Sequence, residues 1–262
     1  MRVKSLKVFV AVLVFGLLLG ASSTARADTV VITSFSFGNV QFNPATGTSV
    51  FTPTGASSRA LATNSLGQTQ DITTNTFPVS QTTAVVTFAN ASGSASATNL
   101  TANATSFVSV GGCACSASSF GQGIFTGTLV ILGGEGNVDV TFSIMPFATG
   151  TITTDQFGVR GQAEAFFNLL LNGRSVLSQD QMLREVVGPN QTGSFQLGPV
   201  QMSRVLSLQF GVVNTIELRM GTVAFAEVNE VPEPATVALL ISGLGFMGGV
   251  LKKRRKTFKG AS

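Results

Sequence analysis

Apolar and polar residues alternate with a period of two in several separate segments of the chain. The pattern is clearest over residues 138–144, 206–212 and 216–220. A β-strand directs successive side chains to opposite faces, so each segment predicts one buried and one solvated face, as in an antiparallel sheet. The alternation therefore predicts an all-β fold.

Asn172-Gly173 is the strongest turn signal between two of these strands. The pair separates residues 163–171 from residues 174–178, and both positions of such a turn favour a positive φ. Further strands are expected at residues 29–37, 82–89, 100–110 and 124–132. Short strands separated by turn residues predict an antiparallel β-sandwich of jelly-roll type.

Three segments carry weaker structural signals. Residues 28–110 are rich in Ser and Thr, and within them residues 41–80 show no clear period and are expected to be irregular. Residues 90–105 predict a pair of strands. Residues 178–181 (SQDQ) resemble a helix capping box, which predicts a short helix over residues 182–187, or a turn there, crossing the edge of the sandwich.

The side-chain inventory excludes several kinds of active site. The chain contains no His, Tyr or Trp. Without His, a Ser-His-Asp or Cys-His triad, a His-ligated zinc site and a His general base cannot be built. Without Trp and Tyr, the side chains that combine a broad sugar-stacking face with a polar edge are missing. We therefore predict no catalytic residue, no cofactor and a non-enzymatic domain.

The positive net charge belongs to the two ends of the chain. Ten of its sixteen basic residues lie in residues 1–27 or in the last eleven residues. Residues 28–232 hold six arginines and no lysine against eleven acids, a net charge of −5. A nucleic-acid partner is not expected, because this part of the chain lacks a basic stripe.

The amino terminus has the order of a secretory signal peptide. Residues 1–7 are basic, residues 8–20 are apolar, and residues 21–27 are small or polar, with Ala25 and Ala27 marking the site for signal peptidase. The apolar run would span about 20 Å as a helix, short of the roughly 30 Å hydrocarbon core. This length favours a cleaved signal over the alternative of an uncleaved membrane anchor.

The carboxyl terminus combines a proline motif, an apolar segment and a basic end. The motif is Val231, Pro232, Glu233 and Pro234, whose two prolines disfavour regular structure. Residues 235–251 carry no charge and reach the lower limit of length for a single transmembrane helix. A basic stop follows, which the positive-inside rule places in the cytoplasm. It consists of Lys252, Lys253, Arg254, Arg255 and Lys256.

Together these features resemble the PEP-CTERM sorting signal of exported Gram-negative proteins. The resemblance covers residues 231–259, including a basic tail at 252–259, and does not extend to the preceding domain. It implies that exosortase, an integral-membrane enzyme, recognises Pro232, Glu233 and Pro234 and cuts near them. The family is associated with bacteria that make exopolysaccharide and biofilm matrix. The alternative is an ordinary membrane anchor whose linker contains two prolines.

Cys113 and Cys115 are the two cysteines of the chain. They lie in a loop rich in Gly and Ser, and export to an oxidising compartment makes a disulfide plausible. Three arrangements remain open from the sequence: a local bridge, links to a second molecule, and two ligands of a soft-metal site. Catalytic use of these thiols is not expected without a His to activate the sulfur.

The acids of the middle of the chain allow two alternatives. Glu164, Asp180 and Glu185 could supply a carboxylate pair for glycoside hydrolysis, but nearby arginines favour ion pairs on an outer face. No metal site is assigned, because no D-x-D-x-D-G calcium loop occurs. A structural calcium ion would draw its ligands from Glu135, Asp139 and Asp155.

The sequence thus predicts a signal peptide (1–27), a secreted β-sandwich domain (28–230) and a sorting signal (231–259). We expect an exported protein that passes through an inner-membrane intermediate to the cell surface or the extracellular matrix. Its domain is expected to be structural or adhesive. The alternative is a carbohydrate- or partner-binding module, with extracellular polysaccharide as the candidate partner. A carboxylate-dependent secreted hydrolase is the third hypothesis.

Overall fold

The computed structural model describes residues 28–97, 99–111, 113–155, 158–178 and 183–229. Strands form the regular structure of this part of the chain, which contains no helix. Accordingly, no helix in these residues is long and apolar enough to cross a membrane. The predicted signal peptide, transmembrane helix and basic tail lie outside the described residues.

Fourteen strands lie within the described residues. They are β1 (Asp28–Pro44), β2 (Thr48–Asn64), β3 (Thr69–Asn75), β4 (Val79–Val86), β5 (Ala89–Ser96), β6 (Thr101–Gly111), β7 (Cys115–Leu132), β8 (Asn137–Thr154), β9 (Gly158–Leu171), β10 (Arg174–Ser178), β11 (Leu183–Val187), β12 (Thr192–Leu197), β13 (Met202–Gln209) and β14 (Asn214–Val228). The longest, β7 and β8, have 18 residues each, so each contributes to both ends of its sheet.

The strands form two antiparallel sheets that face each other as a β-sandwich. Sheet I has the order β12–β8–β1–β6–β5–β4, and β13 also pairs with β8. Sheet II has the order β10–β9–β14–β7–β2–β3, and β11 also pairs with β9. The predicted all-β antiparallel sandwich is confirmed, while its jelly-roll connectivity stays a prediction.

Burial follows the predicted alternation in two of the three segments. The apolar side chains of residues 138–144 and 216–220 are buried, as predicted. The prediction for residues 206–212 is wrong beyond Gln209, where β13 ends. Gly211 adopts a φ of 71° in the turn that follows, and Val212 is exposed. The turn therefore ends the alternation before its last apolar residue.

The predicted hairpin at Asn172-Gly173 joins β9 and β10. Asn172 has a φ of 51° and Gly173 a φ of 76°, the two positive values that a tight antiparallel turn requires. Arg174 pairs with Leu171 on the two sides of this turn. The hairpin prediction is confirmed.

The helix or turn predicted over residues 182–187 is wrong for residues 183–187, the part that the structure describes. Leu183–Val187 form β11, which pairs with β9 from Leu183 opposite Ala165 to Val187 opposite Gly161. Residues 179–182, which include most of the apparent capping box, lie outside the described residues. The open edge of β9 supplies backbone partners that the local sequence pattern could not reveal.

The prediction that residues 41–80 are irregular is also wrong, because β2 and β3 and the end of β1 occupy most of this segment. The period of β2 is hidden because Ser58 and Ala60 are inward-facing and buried. Small or polar residues at inward positions remove the contrast in hydrophobicity on which pattern recognition depends. The predicted strand pair at residues 90–105 is confirmed, since β5 pairs with β6.

One part of the sandwich has a conventional aromatic core. The ring centroids of Phe35 and Phe37 lie 5.1 Å apart, and that of Phe167 from the facing sheet lies 5.2 Å from Phe37. Such buried side chains contribute about 1.5–3 kcal/mol each to folding. We call this part the wide region. It consists of Phe35, Phe37, Phe42, Phe125, Leu129, Ile131, Phe142, Phe167, Leu169 and Leu218.

The two sheets approach far more closely where β5 and β6 face β2 and β7. A Cβ added to Gly93 would lie 2.0 Å from the carbonyl oxygen of Gln122, and one added to Gly121 would lie 2.2 Å from that of Ser92. Only glycine fits at such distances, because the opposing atoms are backbone. We call this part the narrow region. It consists of Ser58, Ser80, Thr82, Gly93, Ser106, Gly121, Gly123 and Thr222.

Buried hydroxyl groups connect the two sheets across the narrow region. Ser58 of sheet II lies 2.9 Å from the hydroxyl of Ser80 and 2.7 Å from that of Thr82, both in sheet I. Ser106 of sheet I donates to the carbonyl oxygen of Thr222 in sheet II over 3.0 Å. A buried hydroxyl is costly unless it is paired. Paired hydroxyls therefore hold the sheets together where apolar bulk is absent.

Candidate functional site

The first and last strands of the described domain meet at one end of the sandwich. Asp28 begins β1, and its backbone nitrogen donates to Oδ2 of Asp155 over 2.9 Å. Val228 ends β14 and pairs with Gly158, whose backbone nitrogen donates to Oδ1 of the same Asp155 over 2.9 Å. We call this end, formed by Asp28, Asp155, Gly158 and Val228, the junction end. Both terminal segments of the chain therefore join the domain at the junction end.

Asp155 organises the junction end through its backbone as well as its carboxylate. Its nitrogen donates to the carbonyl oxygen of Asp28 over 3.1 Å, and its own carbonyl oxygen accepts from Asn190 over 2.7 Å. The residue thus fixes the start of β1 against the loop that precedes β12. Sequence analysis considered Asp155 only as a calcium ligand and missed this role, which depends on strand register.

The two cysteines also lie near the junction end. Cys113 and Cys115 are joined to each other by a disulfide, which is the local arrangement of the three that the sequence left open. Gly111 pairs with Asp28 at the end of β6, and Cys115 pairs with Val228 at the start of β7. The disulfide therefore closes the turn by which the chain crosses from sheet I to sheet II.

The predicted sorting and cleavage residues lie outside the described residues. This applies to Ala25 and Ala27, to the motif Val231–Pro234 and to the basic stop at 252–256. The described chain ends at Asn229, directly after β14. Because β14 lies between β7 and β9 in sheet II, the sorting signal follows a strand that is paired on both sides.

Of the acids proposed for glycoside hydrolysis, the two that the structure describes, Glu164 and Glu185, do not come together as a pair. Glu164 is 7% exposed and forms an ion pair with Arg184, whose Nε lies 3.0 Å from its Oε1. Gln162 also donates to this carboxylate. Glu185 follows Arg184 on β11 and therefore faces the opposite side of sheet II. Asp180 lies outside the described residues.

The three acids considered for calcium do not form one cluster, because Asp155 lies at the other end of a strand from Glu135 and Asp139. Glu135 precedes β8 and Asp139 lies near its start, whereas Asp155 directly follows its last residue. Asp139 and Asp155 thus lie near opposite ends of the 18-residue strand β8. Among the described residues, no group of three or more His, Cys, Asp or Glu side chains could hold a metal ion. The structure does not support the calcium alternative.

Exposed ion pairs occur on the outer face of sheet II. Arg59 binds Asp71 with two hydrogen bonds, of 3.0 Å and 2.7 Å. These bonds hold the pKa of the Asp71 carboxyl below its usual value and raise that of Arg59. Arg219 donates to Glu217, and this bond likewise raises the pKa of Arg219. The cations of both pairs are therefore already neutralised.

Two other arginines line a groove between the edge strands β10 and β13. The groove has a volume of about 580 Å³. Nη1 of Arg204 donates to the carbonyl oxygen of Val176 over 2.9 Å, which fixes the arginine across the gap between the sheets. We call this cavity the arginine groove. Its walls include Arg174, Ser175 and Val176 of β10 and Arg204, Leu206 and Leu208 of β13.

The opposite edge of the sandwich is closed by neutral side chains. Gln70 and Gln68 of sheet II accept hydrogen bonds from the backbone nitrogens of Val85 and Thr87, at the end of β4 in sheet I. A second cavity of about 820 Å³ lies along this edge, and the described residues that line it are uncharged. The residues that line the two cavities therefore differ in charge.

Sequence analysis missed the arginine groove, although one signal was present. Arg204 lies two residues before Leu206 and four before Leu208 on β13, so all three side chains are on the same side of the strand. The two leucine side chains face the other sheet. An arginine at an inward-facing strand position requires a specific partner or an opening in the core. The proximity of Arg174 could not be inferred in this way, because it depends on how the two sheets are aligned.

Comparisons with known proteins identify only the carboxyl-terminal segment. A family model described as the PEP-CTERM protein-sorting motif matches residues 230–256. The match confirms the resemblance seen in the sequence and indicates an exosortase-sorted exported protein. No curated protein and no solved structure matches the chain.

Proposed function

We propose that the protein is an exosortase substrate whose β-sandwich serves a non-catalytic, structural or adhesive role at the cell surface or in the extracellular matrix. The match of the PEP-CTERM motif to residues 230–256 carries this proposal, because it defines an exported, sorted chain. Exosortase is accordingly the processing partner. Signal peptidase and a transient inner-membrane intermediate complete the proposed route.

The structure of the junction end is consistent with this export route. Both terminal segments join the sandwich there, so the domain can complete its two sheets while each segment remains with its processing enzyme. Cleavage after Ala27 converts the nitrogen of Asp28 into an α-ammonium group. The carboxylate of Asp155, 2.9 Å from that nitrogen, is placed to neutralise the new charge.

A non-catalytic role is supported by how the reactive side chains are used. Histidine is absent from the whole sequence, and buried Glu164 is bound by Arg184 and Gln162. Inside the narrow region the hydroxyl groups bind one another or the facing backbone. These groups hold the fold together. Hydrolysis by a carboxylate pair is the third and weakest candidate.

Association with exopolysaccharide or biofilm matrix is the more specific form of this proposal. The second candidate function is a module, displayed in the same way, that binds carbohydrate or another partner. Its glycan could be uncharged or charged. The arginine groove favours this candidate, because it is open to solvent and holds two cations, with no carboxylate among the described residues that line it.

The sorting proposal is tested by changing the motif in the native host. Pro232→Ala/Glu233→Ala/Pro234→Ala is compared with the wild type by intact mass and cell fractionation. We expect the wild type to lose its carboxyl-terminal segment near the motif and to leave the inner membrane, whereas the triple variant keeps residues 235–262 and stays there.

Asn229→Ala provides the matched control, because it lies between β14 and the matched segment and should be processed like the wild type. If the wild type and the triple variant both keep their carboxyl termini and both remain in the membrane, the tail is an anchor and the sorting proposal is wrong. Loss of processing in Asn229→Ala alone would indicate that the residue joining the domain to the motif, rather than the motif itself, controls cleavage.

A further inference from the structure

The arginine groove contains two of the three arginines of the described domain that have no carboxylate partner. Three of the six arginines form ion pairs, namely Arg59, Arg184 and Arg219. Arg160 lies over the ring of Phe225 and donates to Gln162. The remaining two are Arg174 and Arg204, and both line the groove. In a domain with an excess of acids, this clustering requires an explanation.

The groove is open because the two sheets end there without a closing layer. Within the described strands, β10 pairs with β9 alone in sheet II, and β13 pairs with β8 alone in sheet I. Leu206 and Leu208 of β13 and Val176 of β10 extend the apolar core to the walls of the groove. A ligand in the groove therefore meets an apolar surface between two cations.

Among the residues that the structure describes, no acid lines the groove to neutralise these cations. Arg204 uses one Nη1 hydrogen to bind the carbonyl oxygen of Val176, which leaves its other donors for a ligand. Arg174 is exposed and has no partner among the described residues. A guanidinium group binds a carboxylate through two parallel hydrogen bonds. The fitting ligand is therefore an anion that carries spaced carboxylates rather than a neutral molecule.

An acidic peptide added as a further strand fits this edge less well. The pairing of β10 with β9 shifts between Ser175 and Leu177, and β10 has only five residues. The carbonyl oxygen of Val176 is already bound by Arg204. Strand addition requires a regular row of free backbone groups, which β10 does not offer. Side chains, rather than free backbone groups, line the groove. They favour a ligand that is recognised through its own charged and hydroxyl groups.

We propose that the arginine groove is a binding site for an oligosaccharide that carries carboxylates, that is, a chain containing uronic acids. Arg174 and Arg204 bind the carboxylates, and Leu206 and Leu208 contact the C–H faces of the sugar rings. Ser207, at the rim, can bind a hydroxyl group. The proposal deepens the second candidate function and rests on the exposure of the domain outside the cell.

The test measures binding of the full-length chain, in mild detergent, to polygalacturonate, with neutral dextran as the comparison. The wild type should bind polygalacturonate saturably, more weakly as salt increases, and should not bind dextran. Arg174→Gln/Arg204→Gln should weaken binding by about tenfold or more, because two charge-assisted contacts are lost. Arg59→Gln/Arg219→Gln removes the same charge from the outer face of sheet II and should change affinity less than about twofold.

Arg174→Gln alone keeps the test decisive if the double variant unfolds, because Arg174 has no partner among the described residues whose loss could destabilise the domain. It should weaken binding by about threefold or more. Absence of binding by the wild type, or an equal loss in the groove and control variants, overturns the proposal. Equal binding of polyglutamate would instead identify an acidic peptide. Processing at the motif is unaffected by these changes, so a failed binding test leaves the sorting proposal intact.

Discussion

The wide and narrow regions show two ways of joining the same pair of sheets. In the wide region, phenylalanine and aliphatic side chains fill the space, with Phe42 and Phe142 at a ring distance of 5.5 Å. In the narrow region, Gly121 brings the backbones into contact and Ser106 bonds directly to the facing strand. The first depends on buried apolar area and the second on shape and paired hydroxyl groups. Ser and Thr can therefore form part of the interior of this β-sandwich.

The largest loss is expected from truncating the wide region. Phe142 is fully buried, so Phe142→Ala should lower the free energy of unfolding by about 3–5 kcal/mol. Phe107→Ala is the matched control, because Phe107 is 40% exposed on the outer face and its loss leaves no cavity. Urea unfolding of the two variants measures the difference. Equal losses would show that the aromatic cluster is not the principal core.

Enlarging a glycine should disrupt the narrow region. An alanine Cβ at Gly121 would lie 2.2 Å from the carbonyl oxygen of Ser92 and 2.7 Å from that of Thr105, so the sheets must separate. Gly121→Ala should cost about 3 kcal/mol, at the upper end of overpacking effects. Gly38→Ala, with no atom within 4 Å of the added carbon, should change the free energy of unfolding by less than about 0.5 kcal/mol. A tolerated Gly121→Ala would contradict close backbone contact.

The contribution of buried hydroxyl groups is tested at Ser106. Its hydroxyl is buried and bonds Thr222, so Ser106→Ala should cost about 1–3 kcal/mol by leaving Thr222 without this partner. Ser92 makes a similar bond of 2.7 Å to Thr105 on the outer face, where water can replace it. Ser92→Ala should therefore cost less than about 0.5 kcal/mol. Thermal unfolding of both variants, and of Ser106→Ala/Thr222→Val, would reveal whether the buried pair is coupled.

The two regions also differ in how far the sequence predicts them. The alternation over residues 138–144 identified a strand of the wide region, because its inward residues are large and apolar. In β2 the inward Ser58 does not differ in polarity from its neighbours, so the same method failed. The sorting motif was recognisable because it is a local signal. The arginine groove depends on Arg174 and Arg204 meeting across two sheets, which no local pattern encodes.

The smallest effect is expected where the outer face of the narrow region meets solvent. Ser58 faces inward on β2, whereas its neighbour Arg59 faces outward and binds Asp71, with both side chains more than 40% exposed. The pKa of Asp71 is lowered by this bond, so the pair stabilises the fold above the unfolded pKa of about 3.9 and loses that contribution as pH falls through the folded value.

The contribution of this exposed pair should be less than about 1 kcal/mol. Unfolding of the wild type and of Asp71→Asn is compared from pH 6 to pH 3, where the difference between them should shrink. High salt should reduce the difference at pH 6, because the charges are exposed. A difference that grows as the solution is acidified would mean that Asp71 is stabilised in its protonated form. The charged side chains on the outer face would then help to hold the narrow region together. We expect instead that the bonds between buried hydroxyl groups do this without the outer charges.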